Sequence, residues 1–355
     1  MILSIVDRHI GKTLLTTTSL VLLVLMGLSS LLKYIEQLKR VGRGSYDLID
    51  AAIYVMFSMP RDLEVFFPIC ALLGALIGLG MLASNSELVV MQASGLSKLN
   101  IVSSVMKTAI PLALIVMALG EWIVPASEST AKQLKSAAIS EGAILSSKAG
   151  TWAKDGDSFV YIGSVLASDQ LHNVTIYDFD DMNKLSHVAY IKDANYINRR
   201  WVTNGVHDTY LFDDGVRTQF TEQSEWHSTL TPSKLSVVSM KPEALPISGL
   251  LDYIDYLEAG KQDPTRYQLA MWRKAMQPLA IATMMLLALS FIFGPLRTMT
   301  MGARIVLGVA AGFSFHMADQ LFGPMSVVFN VPPIIAAALP SLIFLFFSVQ
   351  ILRRA

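Results

Sequence analysis

Cysteine and charge are both scarce in this 355-residue sequence, and each scarcity excludes a class of protein. Cys70 is the single cysteine and lies within an apolar run, so an internal disulfide and a cysteine-based metal cage are excluded. Charged residues make up 16% of the chain, against roughly a quarter in soluble domains, and 53% of the residues are hydrophobic. The net charge is zero and no tract is rich in lysine and arginine, so we expect no binding to nucleic acid. This composition is that of a membrane protein.

Motifs of catalysis are missing as well. Gly11 to Thr13 reads Gly-Lys-Thr like the end of a phosphate-binding loop, but that loop needs a glycine where this sequence has Val6. Neither HExxH nor GxSxG occurs. Ser314, His316 and Asp319 could suggest a serine hydrolase, but Ser314 is two residues from His316 and points to another helix face. We predict no catalytic residue, metal or cofactor in this chain, and expect His316 and Asp319 to form a polar helix contact or to face a cavity.

Six apolar stretches are each long enough to cross a hydrocarbon core of roughly 30 Å as a helix of about 20 residues. They are predicted at about Thr13–Leu32, Ile53–Ala83, Ile101–Val124, Met271–Phe293, Ile305–Phe322 and Ile334–Leu352. The charged N-terminus lacks a cleavage pattern of small residues, so we expect the first stretch to be a retained helix and not a signal peptide. The spans therefore form two sets of three.

Lysine and arginine in the short loops predict the orientation. With the N-terminus inside, the cytoplasmic side holds seven of them, namely Arg8, Lys12, Lys98, Arg297, Arg304, Arg353 and Arg354. The short exterior loops hold four, namely Lys33, Lys39, Arg40 and Arg43. This excess predicts that both termini are cytoplasmic and that the long segment between the third and fourth spans is exterior.

Residues 125–270 change from helical to strand periodicity. Short segments rich in valine, isoleucine, tyrosine, tryptophan and threonine alternate with Asp-Gly, Asn-Gly and Asp/Asn clusters, a pattern typical of antiparallel hairpins. Such spacing predicts a β-sandwich or an open roll with an apolar inner face. Helices are predicted on both sides, at about Pro125–Glu141 and Ser248–Ala259. We therefore divide the chain into spans one to three (1–124), an all-β insert with flanking helices (125–270) and spans four to six (271–355).

The inside loop between the second and third spans, Ala83–Asn100, is unusually apolar. Ser86 or Asn85 can cap a short helix that begins with Glu87 and closes at Gly95. The residues after Glu87 are Leu88, Val89, Val90 and Met91. Aliphatic side chains on a cytosolic loop fit a groove in a partner protein better than water. The alternative is a helix that lies in the membrane interface.

A set of basic residues lies on the exterior side, where lysine and arginine are disfavoured. Its members are Lys33, Lys39, Arg40, Arg43 and Arg61, and Lys132 and Lys135 extend it along the helix after the third span. The phosphates of a lipid headgroup would suit such a cluster. The alternative is ordinary interfacial anchoring, with salt bridges to Glu36 and Asp47.

Three stretches together carry a resemblance to a known family. They are VDRHIGKT at Val6–Thr13, FFPICALLGALIGLGMLASNSELVVMQASG at Phe66–Gly95 and SFIFGPLR at Ser290–Arg297. With the order of three spans, β domain and three spans, they resemble the LptF/LptG family of lipopolysaccharide export permeases. The likeness covers the whole chain. ELVVMQASG and FGPLR resemble the LptG-type branch, and the LptF-type branch is the alternative.

The resemblance implies a polytopic α-helical membrane protein with an inserted all-β, jellyroll-like periplasmic domain. It implies a permease subunit of an ABC exporter in the inner membrane of a Gram-negative bacterium, which passes lipopolysaccharide to a periplasmic bridge toward the outer membrane. The implied partners are an LptF-type permease, an LptB-type ATPase dimer that binds the ATP, a single-span LptC-type protein and the lipopolysaccharide. Two other functions stay open from the residues alone, a non-transporting scaffold or sensor and an intramembrane hydrolase.

The resemblance also assigns residues. The family's coupling helix matches Ser84–Gly95, which makes Glu87 the acidic contact to the ATPase. Its neighbours in that role are Ser86, Leu88, Val89 and Met91. The family's phosphate-binding basic residues match Lys33, Lys39 and Arg40, and further basic positions match Arg61, Lys132 and Lys135. The first and fifth spans would form gates. Whether lipid passes through this β domain or the partner's is left open.

Overall fold

The computed structural model describes residues 4–139, 150–167, 169–180, 184–232, 241–294 and 299–354. Within them, six helical segments are long and apolar enough to cross a membrane, which confirms the predicted spans. These are α1 (Ile5–Leu38), α2 (Leu48–Ser84), the run Lys98–Ile139, α7 (Thr265–Phe293), α8 (Met301–Phe329) and α9 (Pro333–Arg354). The run consists of α4 (Lys98–Ala118), a π-helical turn (Leu119–Ile123) and α5 (Val124–Ile139). Two shorter helices are α3 (Glu87–Ala93), between α2 and α4, and α6 (Ile247–Ala259), before α7.

The first two spans begin at capping boxes, which extend them beyond their apolar runs. Ser4 Oγ accepts from the backbone N–H of Asp7 at 3.1 Å, and the Asp7 carboxylate accepts from that of Ser4 at 3.0 Å. Asp47 and Asp50 make the same reciprocal bonds at the start of α2. Because these caps satisfy the first free N–H groups, α1 starts at residue 5 and not near the predicted residue 13.

The helices share one apolar core around α2 and α7. Leu72, Leu76 and Leu79 of α2 are fully buried there, with Met284 and Met285 of α7. Because lipid tails are as apolar as these side chains, it is their close packing, and not removal from water, that stabilises the core. The core positions α1, α4 and α8 around a fixed centre.

The exterior segment folds into one antiparallel sheet. Its strands are β1 (Thr151–Asp155), β2 (Ser158–Ala167), β3 (Gln170–Phe179), β4 (Leu185–Ile197), β5 (Arg200–Phe212) and β6 (Gly215–Trp226). Each pairs with its neighbours in chain order. Val160, Val174, Ile191 and Trp201 are buried on one face, and Trp201 Nε1 donates to the Leu230 carbonyl at 2.7 Å. The predicted all-β insert with hairpins and an apolar face is confirmed, and a single sheet agrees with the open roll.

One of the predicted turn signals, Asn-Gly, does not form a turn. Asn204-Gly205 is inside β5, where Gly205 has φ +65° and the pairing with β4 skips one position. The turn between β4 and β5 is formed by Asn198 and Arg199, which both have positive φ as a two-residue type I′ hairpin requires.

The β domain is attached to the spans by α6. The carboxylate of Glu121, in the π-helical turn, accepts from the backbone N–H of Ile247 at 2.7 Å and of Ser248 at 3.4 Å, which are first-turn donors of α6. At the other end of α6, the Tyr256 hydroxyl donates to the Lys154 carbonyl of β1. The sheet is thus fixed beside the end of the third span.

Candidate functional site

The helical bundle has two ends, which we name by what adjoins them. The α3 end carries α3 and the start of α1. The β-domain end carries the end of α1, the start of α2, and α5. The predicted basic residues are on three segments at the β-domain end, with Lys33 on α1, Arg61 on α2, and Lys132 and Lys135 on α5.

Lys33 is held by an acidic residue of the neighbouring span. Its Nζ lies 2.6 Å from Asp62 Oδ1, and Ser29 Oγ donates to Asp62 Oδ2 at 3.0 Å. The Asp62 side chain is only 11% exposed, whereas the Lys33 side chain is 31% exposed. The sequence did not indicate this partner. The alternative pairing with Glu36 and Asp47 is wrong for Lys33, and the Asp47 carboxylate instead accepts N–H groups at the start of α2.

Arg61 and Lys132 share a second buried carboxylate. Glu128 of α5 lies 3.4 Å from Arg61 Nη1 and 3.9 Å from Lys132 Nζ. Glu128 is buried. A single carboxylate of α5 therefore faces one cation of α2 and one of its own helix.

Lys135 is held by neutral groups. Its Nζ donates to Gln37 Oε1 at 2.7 Å and lies 4.3 Å from the centre of the Tyr54 ring. The same Gln37 oxygen accepts from the Tyr46 hydroxyl at 3.4 Å. Burial raises the pKa of Tyr46 to about 12, so this phenol stays neutral at physiological pH and adds no negative charge.

Lys39 and Arg40 lie in the loop after α1 and are exposed to solvent. In the described ranges neither forms a salt bridge, so both can meet an external anion. Lys33 is six residues earlier on the helix, which places it about 9 Å deeper along the axis. We call these six residues the basic cluster, namely Lys33, Lys39, Arg40, Arg61, Lys132 and Lys135. Lys39 and Arg40 form its exposed rim, and the other four contact neighbouring side chains.

Helix α3 agrees with the prediction at its end but not at its start. Gly95 has φ +95°, and the N–H groups of Gly95 and Leu96 bond the carbonyls of Gln92 and Met91, a Schellman motif. Ser86 makes no side-chain capping bond, which corrects that expectation. Its backbone is left-handed at φ +61°, unlike the extended conformation of a capping residue.

The side chains of α3 divide between two faces. Leu88 is buried in the bundle core, and Met91 packs against it. Val89 and Val90 are 54% and 65% exposed. Of the aliphatic residues predicted for partner contact, the two valines are therefore the open ones.

Glu87 is bound to α1, which the sequence did not indicate. His9 Nε2 lies 2.8 Å from Glu87 Oε2, and Asn85 Nδ2 donates to Oε1 at 3.3 Å. These hydrogen bonds, first that of His9 and then that of Asn85, lower the pKa of Glu87. The loop carboxylate thus connects α3 to the first span.

Two pairs of charged residues lie inside the bundle, and the sequence did not predict them. Lys274 Nζ lies 3.6 Å from Glu64 Oε1 and donates to the Gly120 carbonyl in the π-helical turn at 2.9 Å. Beside it, Arg273 Nη2 lies 3.5 Å from Asp319 Oδ2. The signal that could have found them is charge within an apolar span, which is costly in lipid and requires a partner.

The same region holds the residues considered for hydrolysis. Asp319 and His316 line a cavity of about 190 Å³, and Asp319 pairs with Arg273. Ser314 Oγ donates to the Ala310 carbonyl of its own helix at 2.8 Å. The described contacts therefore join Asp319 to another helix and leave Ser314 outside any triad.

Comparisons with known proteins agree with one another. The family model described as "Lipopolysaccharide export system permease LptF/LptG" matches residues 8–354. The chain is 47% identical over 353 residues to "Lipopolysaccharide export system permease protein LptG" of Escherichia coli (strain K12), covering 99% of this chain and 98% of that protein. It is 44% identical over 351 residues to the protein of the same name from Haemophilus influenzae, covering 98% of each.

Proposed function

Because this chain belongs to the LptF/LptG family of lipopolysaccharide export system permeases, we propose that its cluster at the β-domain end binds lipopolysaccharide phosphates and that α3 transmits the work of an ATPase. The chain is a permease subunit of the lipopolysaccharide export system, an inner-membrane protein with six spans and a β domain.

The observation that carries the substrate site is the convergence of cations from α1, α2 and α5. Ammonium and guanidinium groups form short charge-assisted hydrogen bonds to phosphate oxygens. The rim cations Lys39 and Arg40 are exposed, so they make the first contact with a headgroup at the membrane surface. Lys33, Arg61, Lys132 and Lys135 form the inner part of the same surface.

The acyl chains require an apolar surface, and two spans offer one. Leu20 and Leu23 of α1 are 61% and 74% exposed, and Val306 and Leu321 of α8 are 68% and 66% exposed. These helices are the first and fifth spans, which the family resemblance makes gates. Acyl chains pack against such a surface by van der Waals contact, as lipid tails do.

The α3 end is the proposed contact with an LptB-type ATPase dimer that binds and hydrolyses ATP. Val89 and Val90 form its open apolar surface, and Glu87 its charged edge. In this arrangement the α3 end and both termini are cytoplasmic, and the β domain is periplasmic. An LptF-type permease completes the cavity and a single-span LptC-type protein attaches.

In the proposed cycle, lipopolysaccharide enters sideways from the outer leaflet of the inner membrane. Its phosphates bind the cluster and its chains bind the apolar cavity walls. Nucleotide binding in the partner, transmitted through α3, then narrows the cavity and moves the lipid toward the β domain.

Photocrosslinking in cells tests the substrate site. A photoreactive residue replaces Lys33, Lys39 or Arg40 in separate variants, and Thr209 and Gln219 serve as comparison positions in the strands. A further control replaces Arg353, an exposed cation at the end of α9. We expect crosslinks to lipopolysaccharide from the cluster and none from Arg353. Equal crosslinking from Arg353 and from the cluster contradicts the proposal.

Charge reversal tests the coupling contact. Glu87→Lys should reduce co-purification of the ATPase subunit roughly tenfold, because the proposed contact pairs this carboxylate with a cation of the ATPase and the substitution would set two like charges against each other. The swap His9→Glu with Glu87→Lys restores a pair within the chain but not the original charge toward the partner. Recovery of association in the swap would show that Glu87 acts only by holding α3 to α1.

A further inference from the structure

Asp62 occupies the position at Lys33 where an external phosphate would bind. Both of its carboxylate oxygens are engaged, one by Lys33 Nζ at 2.6 Å and the other by Ser29 Oγ at 3.0 Å. A carboxylate on a lysine ammonium makes the same kind of charge-assisted bond as a phosphate oxygen. The inner cation of the cluster therefore already holds an anion before any substrate arrives.

The two partners differ in how far each can change its contacts. Asp62 is nine-tenths buried between α1 and α2, and an aspartate side chain is short. Lys33 is about one-third exposed on a long flexible stem, so its ammonium can reach from Asp62 to an anion at the surface. Lys33 is the movable member of the pair and Asp62 is the fixed one.

From this geometry we propose that Asp62 is an internal counter-anion that competes with the lipid phosphate for Lys33 and so promotes release. The proposal rests on the function proposed above and adds a residue that limits substrate affinity. On binding, Lys33 turns from the carboxylate to the phosphate. On release, Asp62 takes the ammonium back, which lowers the cost of separating phosphate from the cluster.

A transporter gains from such competition because its substrate must leave. The open rim cations alone would bind a phosphorylated headgroup strongly, and each further unpaired cation would strengthen that binding. A fixed anion beside Lys33, which lies deeper than the rim cations, reduces the attraction of the inner part of the cluster for the lipid. Asp62 thereby sets a balance between capture and release.

The experiment uses the permease purified with its partner subunits in lipid nanodiscs. Binding is compared between intact lipopolysaccharide and lipopolysaccharide treated with a phosphatase. Asp62→Asn should bind the intact form roughly tenfold more tightly, because Lys33 loses its competing charge, and should leave binding of the treated form unchanged. Asp252→Asn removes a carboxylate from an exposed position on α6 and is the matched control.

Three results would overturn the proposal. Asp62→Asn with unaltered affinity for the intact lipid shows that the carboxylate does not compete. Weaker binding of both lipids shows that Asp62 only holds α1 against α2. A release rate from Asp62→Asn as fast as that of the parent removes the role in release.

Two further variants keep the test decisive if Asp62→Asn folds poorly. Asp62→Glu retains the charge and should bind like the parent chain. The double variant Lys33→Gln with Asp62→Asn removes both charges, so it should fold while showing none of the gain in affinity. If the parent chain itself binds intact and treated lipid equally, the proposed phosphate site fails, whereas discrimination by the parent without a gain in Asp62→Asn refutes this inference alone.

Discussion

Helices α1 and α2 are neighbours, yet they differ in how much of each is buried in the bundle. The most apolar window of α2 is 67% buried and that of α1 only 22%. Apolar side chains on several faces of α2 pack in the bundle core, whereas α1 contributes only a narrow buried face, with Ile10 and Leu14, and is also joined to the other helices by polar contacts spaced along its length. Among these contacts are Asp7 to Lys107, His9 to Glu87, Thr17 to the Gly74 carbonyl, and Lys33 to Asp62.

This difference suits α2 to be a fixed centre of the bundle and α1 to be an edge that can move. Burial in a packed core is lost steeply when helices separate, because it depends on close fit. In lipid, by contrast, single polar contacts between helices contribute modestly, roughly 0.6 kcal/mol on average. A helix joined by a few such contacts can separate at one level while the others hold, which is what a proposed gate requires.

The largest expected effect on the contact between α1 and α2 comes from a steric substitution. A Cβ added at Gly74 of α2 would lie 2.3 Å from Thr18 Oγ1 and 2.5 Å from Thr18 Cα, which is backbone and cannot turn aside. Gly74→Ala should therefore push α1 away from α2 and destabilise the chain by about 1–3 kcal/mol. The measurement is the midpoint of thermal unfolding in detergent.

Gly27→Ala is the matched control for that substitution. Gly27 is on α1, and a Cβ there meets nothing within 4 Å in the described structure. Alanine has the higher helix propensity, so Gly27→Ala should leave the midpoint unchanged or raise it. Equal losses in both variants would mean that the close crossing of α1 and α2 does not hold α1 in place.

The sequence predicted the buried helix better than the polar contacts of its neighbour. Apolar run lengths gave all six spans, since hydropathy reports burial or lipid contact without needing a partner's identity. The ends of α1 were missed, because the bonds of Ser4 and Asp7 extend a helix into polar sequence. Gly95 was predicted as the stop of α3 because a left-handed position favours glycine.

The sequence could not predict which charged residues pair with one another across the bundle. Asp62 is 29 residues from Lys33, and their pairing depends on the register between two antiparallel helices, which periodicity does not determine. The same holds for His9 and Glu87, which are 78 residues apart. The sequence therefore predicted the cations of the site but not the carboxylates that pair with them.

The polar contacts should show smaller effects than the steric one. Thr17 Oγ1 lies 2.7 Å from the Gly74 carbonyl of α2 and 2.9 Å from the Thr13 carbonyl of its own helix. Thr17→Ala removes the contact between the helices and should destabilise the chain by about 0.5–1 kcal/mol. Thr17→Ser keeps the hydroxyl and should retain more of the stability.

Thr16→Ala is the control for the hydrogen bond. The Thr16 hydroxyl is exposed and donates only within α1, to the Lys12 carbonyl at 2.8 Å. We expect no resolved change in the unfolding midpoint. A loss in Thr16→Ala as large as that in Thr17→Ala would assign the effect to helix propensity and not to the contact with α2.

The smallest expected effect concerns the contact of α1 with α3. Hydrogen bonds from His9 and Asn85 lower the pKa of Glu87, so the carboxylate stays ionised below its ordinary pKa. The folded pKa is below the unfolded one, so the stabilising contribution is complete above the ordinary pKa of glutamate and is lost as pH falls through the lowered pKa. An NMR titration of chain labelled with ¹³C in the glutamate carboxyl groups measures this directly. In His9→Ala the Glu87 pKa should rise toward its ordinary value, whereas His187→Ala, in the β domain, should not move it. An unchanged Glu87 pKa in His9→Ala would mean that α1 is not fastened to α3 through this pair, and α1 would then be looser at the α3 end than the polar contacts along its length indicate.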